Sequence, residues 1–187
     1  MALTKLNNQS INEITASGIP TLVSANMPTG SVISVHTADF TGTATHSSSS
    51  WADIPNLTLT FTPASATSKI YITGHVMVGT EFDTMCGIRI IAAGNNISTI
   101  GDTAGNRTKA HTGLGYWNIQ NNYEILAVPI NAVHTLSSAS STIVKLQAIN
   151  GDTSGHAFGI NKSAANDPDA TWQGRFASNL TVMEIAG

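Results

Sequence analysis

The segment Phe61-Thr-Pro-Ala-Ser-Ala-Thr-Ser-Lys69-Ile-Tyr-Ile72 joins two stretches in which apolar residues recur at every second position. Before it, Leu57, Leu59 and Phe61 fall on one side of an extended chain and Thr58, Thr60 and Thr62 on the other. After it, Ile70, Ile72, Val76 and Val78 share a side, with Tyr71, Thr73, His75 and Met77 opposite. Successive side chains of a strand point to opposite faces, so a repeat of two marks a strand with one face on a core. The Pro/Ala/Ser/Thr run between them has no period and reads as a polar loop. Residues 57–78 therefore read as a core hairpin, and the chain around them as all-β.

The rest of the chain agrees with that class. Further strand candidates are residues 31–37, 51–61, 87–93, 123–129, 132–137, 142–149 and 176–185. The Thr/Ser-rich residues 41–50 read as an exposed loop, and residues 94–122 as irregular. Short strands separated by Gly, Asn and Ser turns predict a β-sandwich, with the Greek-key jelly roll as its connection. Gly101-Asp-Thr-Ala-Gly105 and Gly151-Asp-Thr-Ser-Gly155 are near-copies, but each suits a loop tip and the match is too short for a repeat architecture.

Residues 1–30 differ. Leu3, Leu6, Ile11 and Ile14 give a short amphipathic pattern that Asn7-Asn8 and then Gly18-Ile-Pro20 interrupt. The expected division is an N-terminal attachment arm, 1–30, docking on a neighbour, and a head domain, 31–187. A length of 187 residues suits one domain with such an appendage.

Only 10% of residues are charged, against about 25% in typical soluble domains. A polar but non-ionic surface suits broad contacts between subunits, since few charges need desolvating. The eight Lys and Arg are scattered and the net charge is −3, which argues against a nucleic-acid partner. No run approaches the ~20 apolar residues of a membrane helix, and no secretory signal pattern opens the chain. The single cysteine, Cys86, rules out an internal disulfide and reads as a core thiol.

The candidate chemistry is sparse. Six histidines stand singly, without the local pairs that usually trace a zinc site. His75, on a strand, is the one that a threefold assembly would bring together on its axis. Asn166-Asp-Pro-Asp-Ala170 gathers oxygen ligands but lacks a defined calcium-loop spacing. Glu81 and Asp83 stand close in sequence, yet acid/base carboxylates ordinarily converge from separate strands. No metal, cofactor or catalytic residue is expected, and the chain reads as non-enzymatic. Trp51, Tyr116, Trp117 and Trp172 read first as plugging the ends of a sandwich or packing between subunits, with stacking on sugar rings as the alternative. Glu184 shares its parity with Leu180 and Val182, so it reads as facing inward, with Lys69 or Arg89 as cation partners.

Three segments carry a family resemblance. A strand ending in Thr62-Pro63, a Ser/Thr/Ala run and Ser68-Lys-Ile70 opening the next strand resemble a motif of tailed-bacteriophage virion proteins. The closing Leu180-Thr-Val-Met-Glu-Ile185 and the opening Met1-Ala-Leu-Thr-Lys-Leu-Asn-Asn8 resemble the ends of such proteins, including marine-phage ones. The resemblance implies a TNF-like jelly-roll head that assembles as a homotrimer and serves as a tail fibre or appendage touching the host surface. It also implies a protein made in the host cytoplasm and released by lysis within the virion. A capsid decoration protein with the same fold is an alternative, and a carbohydrate-binding module a second one. The module reading would have Trp117 or Trp172 as its glycan contact.

Overall fold

A computed structural model of the chain describes residues 27–80, 84–115, 123–151, 156–167 and 169–187, and no helix occurs among them. The strands are β1 (Val32–Phe40), β2 (Ala44–His46), β3 (Ala52–Phe61), β4 (Lys69–Thr80), β5 (Met85–Ala92), β6 (Asn95–Asn96), β7 (Thr112–Gly115), β8 (Ile125–Thr135), β9 (Thr142–Asn150), β10 (Phe158–Ile160) and β11 (Ser178–Ile185). All pairings are antiparallel.

Two sheets form the sandwich. In the first, β8 runs along one edge of β4 from Ile125 to Thr135. The other edge of β4 is shared: β11 covers Lys69 to His75, and β10 covers Val78 to Thr80. Outside these lie β1 beside β11 and β2 beside β10. The second sheet runs β3–β9–β5, with β7 and β6 dividing the far edge of β5.

The connectivity is a set of nested pairs. β1 pairs with β11, β3 with β9, β4 with β8 and β5 with β7. The chain is thus one long double strand, rolled so that β11 also meets β4 and β9 also meets β5. This is the jelly roll that the spacing of strands and turns predicts.

The expected hairpin over 57–78 is not formed. β3 bonds to β9, β4 bonds to β8 and β11, and residues 62–68 carry the chain from one sheet to the other. Alternation reports which face is buried, not which strand lies alongside. Two strands that face one core from opposite sheets, about 10 Å apart, show the same pattern as two neighbours in one sheet. The side-chain assignment itself holds: Leu57, Phe61, Ile70, Ile72, Val76 and Val78 are all buried in the core.

Three other expectations change. The loop at 41–50 contains β2, held by β10. Residues 123–129 and 132–137 are not two strands but one, because β8 runs straight through Pro129. β8 is an edge strand, where a missing N–H on the open side breaks no ladder bond. The irregular region 94–122 contains β6 and β7.

Where β10 gives way to β11, Asn161 fills the break. Its side-chain amide donates to the carbonyls of Phe40 and Gly42 at 2.6 and 2.8 Å, and its oxygen accepts from Ser178 Oγ at 2.6 Å. Its own N–H donates to Met77 O, while Met77 N donates to Ser178 Oγ. One fully buried asparagine therefore satisfies the backbone where three strand paths are interrupted.

Candidate functional site

Glu184 faces inward, as its parity predicts, and is only 2% exposed. Its partners are not cations. Oε1 accepts from the Ala64 backbone amide at 2.7 Å and Oε2 from Ser34 Oγ at 3.2 Å. His36 Nε2 lies 3.1 Å from the same hydroxyl, and the His36 ring stacks on Phe61 at 4.8 Å. Lys69 is excluded as partner because it pairs in register with Ile185 and is exposed on the outer face. Arg89 belongs to the outer face of the other sheet, bonded to Gln147. The serine hydroxyl donates to the carboxylate rather than to an imidazole, which is not the order of a nucleophile activated by a base.

This contact has a second meaning. Ala64 lies in the Thr-Pro-Ala-Ser loop and Glu184 in the closing strand. They are joined by a hydrogen bond, and Glu184 stands opposite Ile70 in the ladder.

The outer faces of the two sheets contrast sharply. On the second sheet, Arg89 lies 4.5 Å above the Trp51 ring and reaches Gln147 Oε1 at 2.8 and 2.6 Å. Gln147 donates to Asp53 Oδ1 at 2.7 Å, and Lys145 reaches Asp53 Oδ2 at 2.8 Å. Those bonds, from Lys145 first and then Gln147, hold the Asp53 carboxyl below its usual value. This is a wet, ionic face, and Trp51 serves there as a cushion for a guanidinium.

On the first sheet, Val35, Met183, Tyr71 and Val133 stand side by side in one row across β1, β11, β4 and β8. Val35 is 55% exposed and Val133 63%. The next row is Thr37, Thr181, Thr73 and Asn131, and the one after it Asp39, Asn179, His75 and Pro129. Among the described residues of these four strands, Lys69 and Asp39 are the only charged groups pointing outward, and Asp39 is bonded by Asn179 Nδ2 at 2.7 Å. His75, half-buried, has Nε2 3.1 Å from the Ala177 carbonyl.

Trp172 lies in the loop between β10 and β11, 70% exposed, with its ring edge-on to Tyr123 at 6.5 Å. Trp172 meets Tyr123 whereas Trp51 meets Arg89 on the other sheet, so these two tryptophans do not form one set. Tyr116, Trp117, Glu81 and Asp83 lie outside the described residues. In the Asn166–Ala170 loop, Asp167 Oδ1 accepts the Asp169 amide, the bond of an Asx turn. Among the described residues no three His, Cys, Asp or Glu side chains group as metal ligands. Cys86 is buried without a disulfide, and burial pushes its thiol up to about 12.

Sequence reading missed the apolar row and Tyr123. Each member of the row is unremarkable alone. Only the register between strands distant in sequence brings them together.

No family model matches the chain, and no curated protein matches it. Among solved structures, a chain in the structure of the infectious bursal disease virus Gx strain is similar at a TM-score of 0.40 and 14% identity, over 82% of this chain and 37% of that one. A chain of the Gt strain of the same virus gives 0.39 and 14%, over 82% of this chain and 38% of that one. The chain thus spans well under half the length of the viral chains it resembles.

Proposed function

We propose that this chain is a non-enzymatic structural protein of a virion that assembles as a homotrimer through the outer face of the sheet β1–β11–β4–β8. The observation that carries the reading is the contrast between the two outer faces. One carries the ionic network of Arg89, Gln147, Asp53 and Lys145. The other offers a continuous apolar row bordered by threonines, with almost no charge to desolvate. Contiguous apolar patches of a few hundred Å² on a soluble protein ordinarily mark contact surfaces.

The face is too small to make a standard interface by itself. Four strands about 4.8 Å apart and eight residues at about 3.4 Å give a face of roughly 500 Å². A standard stable interface needs about 800 Å² from each partner. One face-to-face pair falls short of that. The threefold closure follows the jelly-roll resemblance, with each copy meeting two neighbours and the remaining contact area coming from beyond this face. His75 lies on this face and would be an interface residue.

The virion assignment rests on the resemblance of the two segments that Glu184 and Ala64 join. Residues 1–30 then serve as the arm to other virion proteins, and the loops of the head as the part turned to the host, in a tail fibre or appendage. Immunogold electron microscopy of intact particles with antibody to the head tests the placement. Label at the tail is the expected result, whereas label spread over the shell would make this a decoration protein.

A further inference from the structure

The loop from Asn161 to Ala177 holds a tryptophan out to solvent on a rigid base. It lies flat across the outer face of β4 and β10, where Gly79 and Gly159 leave room for it. A Cβ at Gly79 would sit 2.2 Å from the Lys162 carbonyl, and one at Gly159 2.6 Å from the same oxygen. Gln173 ties the loop together: its Oε1 accepts from Ser163 Oγ at 2.6 Å and from the Asp167 amide at 2.9 Å. Gln173 N donates to Ala170 O, and Phe176 N to Asn161 O. Ser163 and Ala170 are buried beneath it. The exposure of Trp172 is therefore imposed by the fold.

Tyr123, itself 50% exposed, meets the edge of that indole at an interplanar angle of 85°. The two rings form a corner that leaves indole surface open. Thr171, Asp167, Asp169 and Arg175, all exposed, supply hydroxyl, carboxylate and guanidinium groups in the same loop.

We infer that the corner made by Trp172 and Tyr123 is a binding site for a neutral sugar ring. A pyranose presents C–H groups on one face, which suit an open indole, and hydroxyls on its rim, which suit planar carboxylates and a guanidinium. The exposed parts of the two rings amount to roughly 200–300 Å². That is far below the about 800 Å² a partner protein needs, and it matches a ligand of one or two rings. Lys162 and Arg175 balance Asp167 and Asp169, so the loop has no net charge and offers no cationic cluster of the kind that recognises phosphate. Because the loop is already held in place, little ordering entropy opposes binding. The inference does not depend on the virion reading, since it uses only this loop and Tyr123.

The test is a labelled full-length chain on an array of neutral and acidic oligosaccharides, followed by saturation-transfer NMR with the neutral hits. Light scattering is run in parallel on Trp172→Ala and Trp172→Phe. Binding to neutral glycans that weakens about tenfold or more in Trp172→Ala, persists in part in Trp172→Phe, and leaves the assembly mass unchanged is the expected result. Three results would overturn the inference: no neutral glycan bound, binding indifferent to Trp172→Ala, or a changed assembly mass in that variant. The last would make Trp172 a subunit contact.

Discussion

Glu184 shows how one side chain ties distant segments together. It is buried, yet both oxygens are used, by Ala64 N–H and by Ser34 Oγ–H. Glu184→Ala would take the carboxylate from the part-buried Ala64 N–H and Ser34 Oγ–H, each a loss of about 1–2 kcal/mol. A fall in the urea midpoint equivalent to about 2–4 kcal/mol is expected, and an unchanged midpoint would mean that water replaces the carboxylate. His46 gives a prediction in pH. Its ring stacks on Phe158 at 5.0 Å, and burial lowers its pKa from 6.5, with the Ser48 carbonyl opposing in part. The folded state therefore favours the neutral ring. Its contribution is complete above 6.5 and is lost as pH falls through the lower folded value. Melting temperatures should drop on acidification from neutral pH, and His46→Phe should flatten that drop. At this scale the sequence was a good guide to burial and a poor one to partners. The parity of Glu184 was legible in Leu180, Val182 and Glu184, but its bonds come from residues 120 and 150 positions away.

At the scale of elements, the strands with clean alternation were legible and the short or interrupted ones were not. β2 and β10 are three residues each, and what makes them strands is the partner they find. β3 hides a second irregularity: Asp53 pairs with Gln147 and Thr58 with Lys145, so 54–57 break the register, with Asn56 at φ 59°. The bulge lets Ile54 and Leu57, three apart, both reach the core, which simple alternation forbids. Asn161 is the element-scale counterpart of Glu184. Asn161→Ala would remove its bonds to Phe40, Gly42 and Ser178 and leave alanine at φ 61°. A loss of about 3 kcal/mol or more is expected. Hydrogen exchange should then show early opening at β2 and β10, while β4 and β8 keep their protection. Uniform loss across both sheets would mean that the break is not a separate unit.

At the scale of the molecule, the jelly roll was legible from strand count and turn spacing, because closing a chain of short amphipathic strands leaves few architectures. The surface that matters most was not. Val35, Tyr71, Val133 and Met183 are spread over the length of the chain, and nested pairing alone sets them in one row. The central claim is that this row is covered by other copies of the same chain. The most direct test is the solution mass of the full chain by light scattering, beside the double variant Val35→Asp/Val133→Asp. Both positions are exposed, so the variant should fold with an unchanged far-ultraviolet spectrum. Three times 19.5 kDa is expected for the native chain and a single 19.5 kDa species for the variant. A native chain of 19.5 kDa at micromolar concentration, or a variant that stays trimeric, would contradict it.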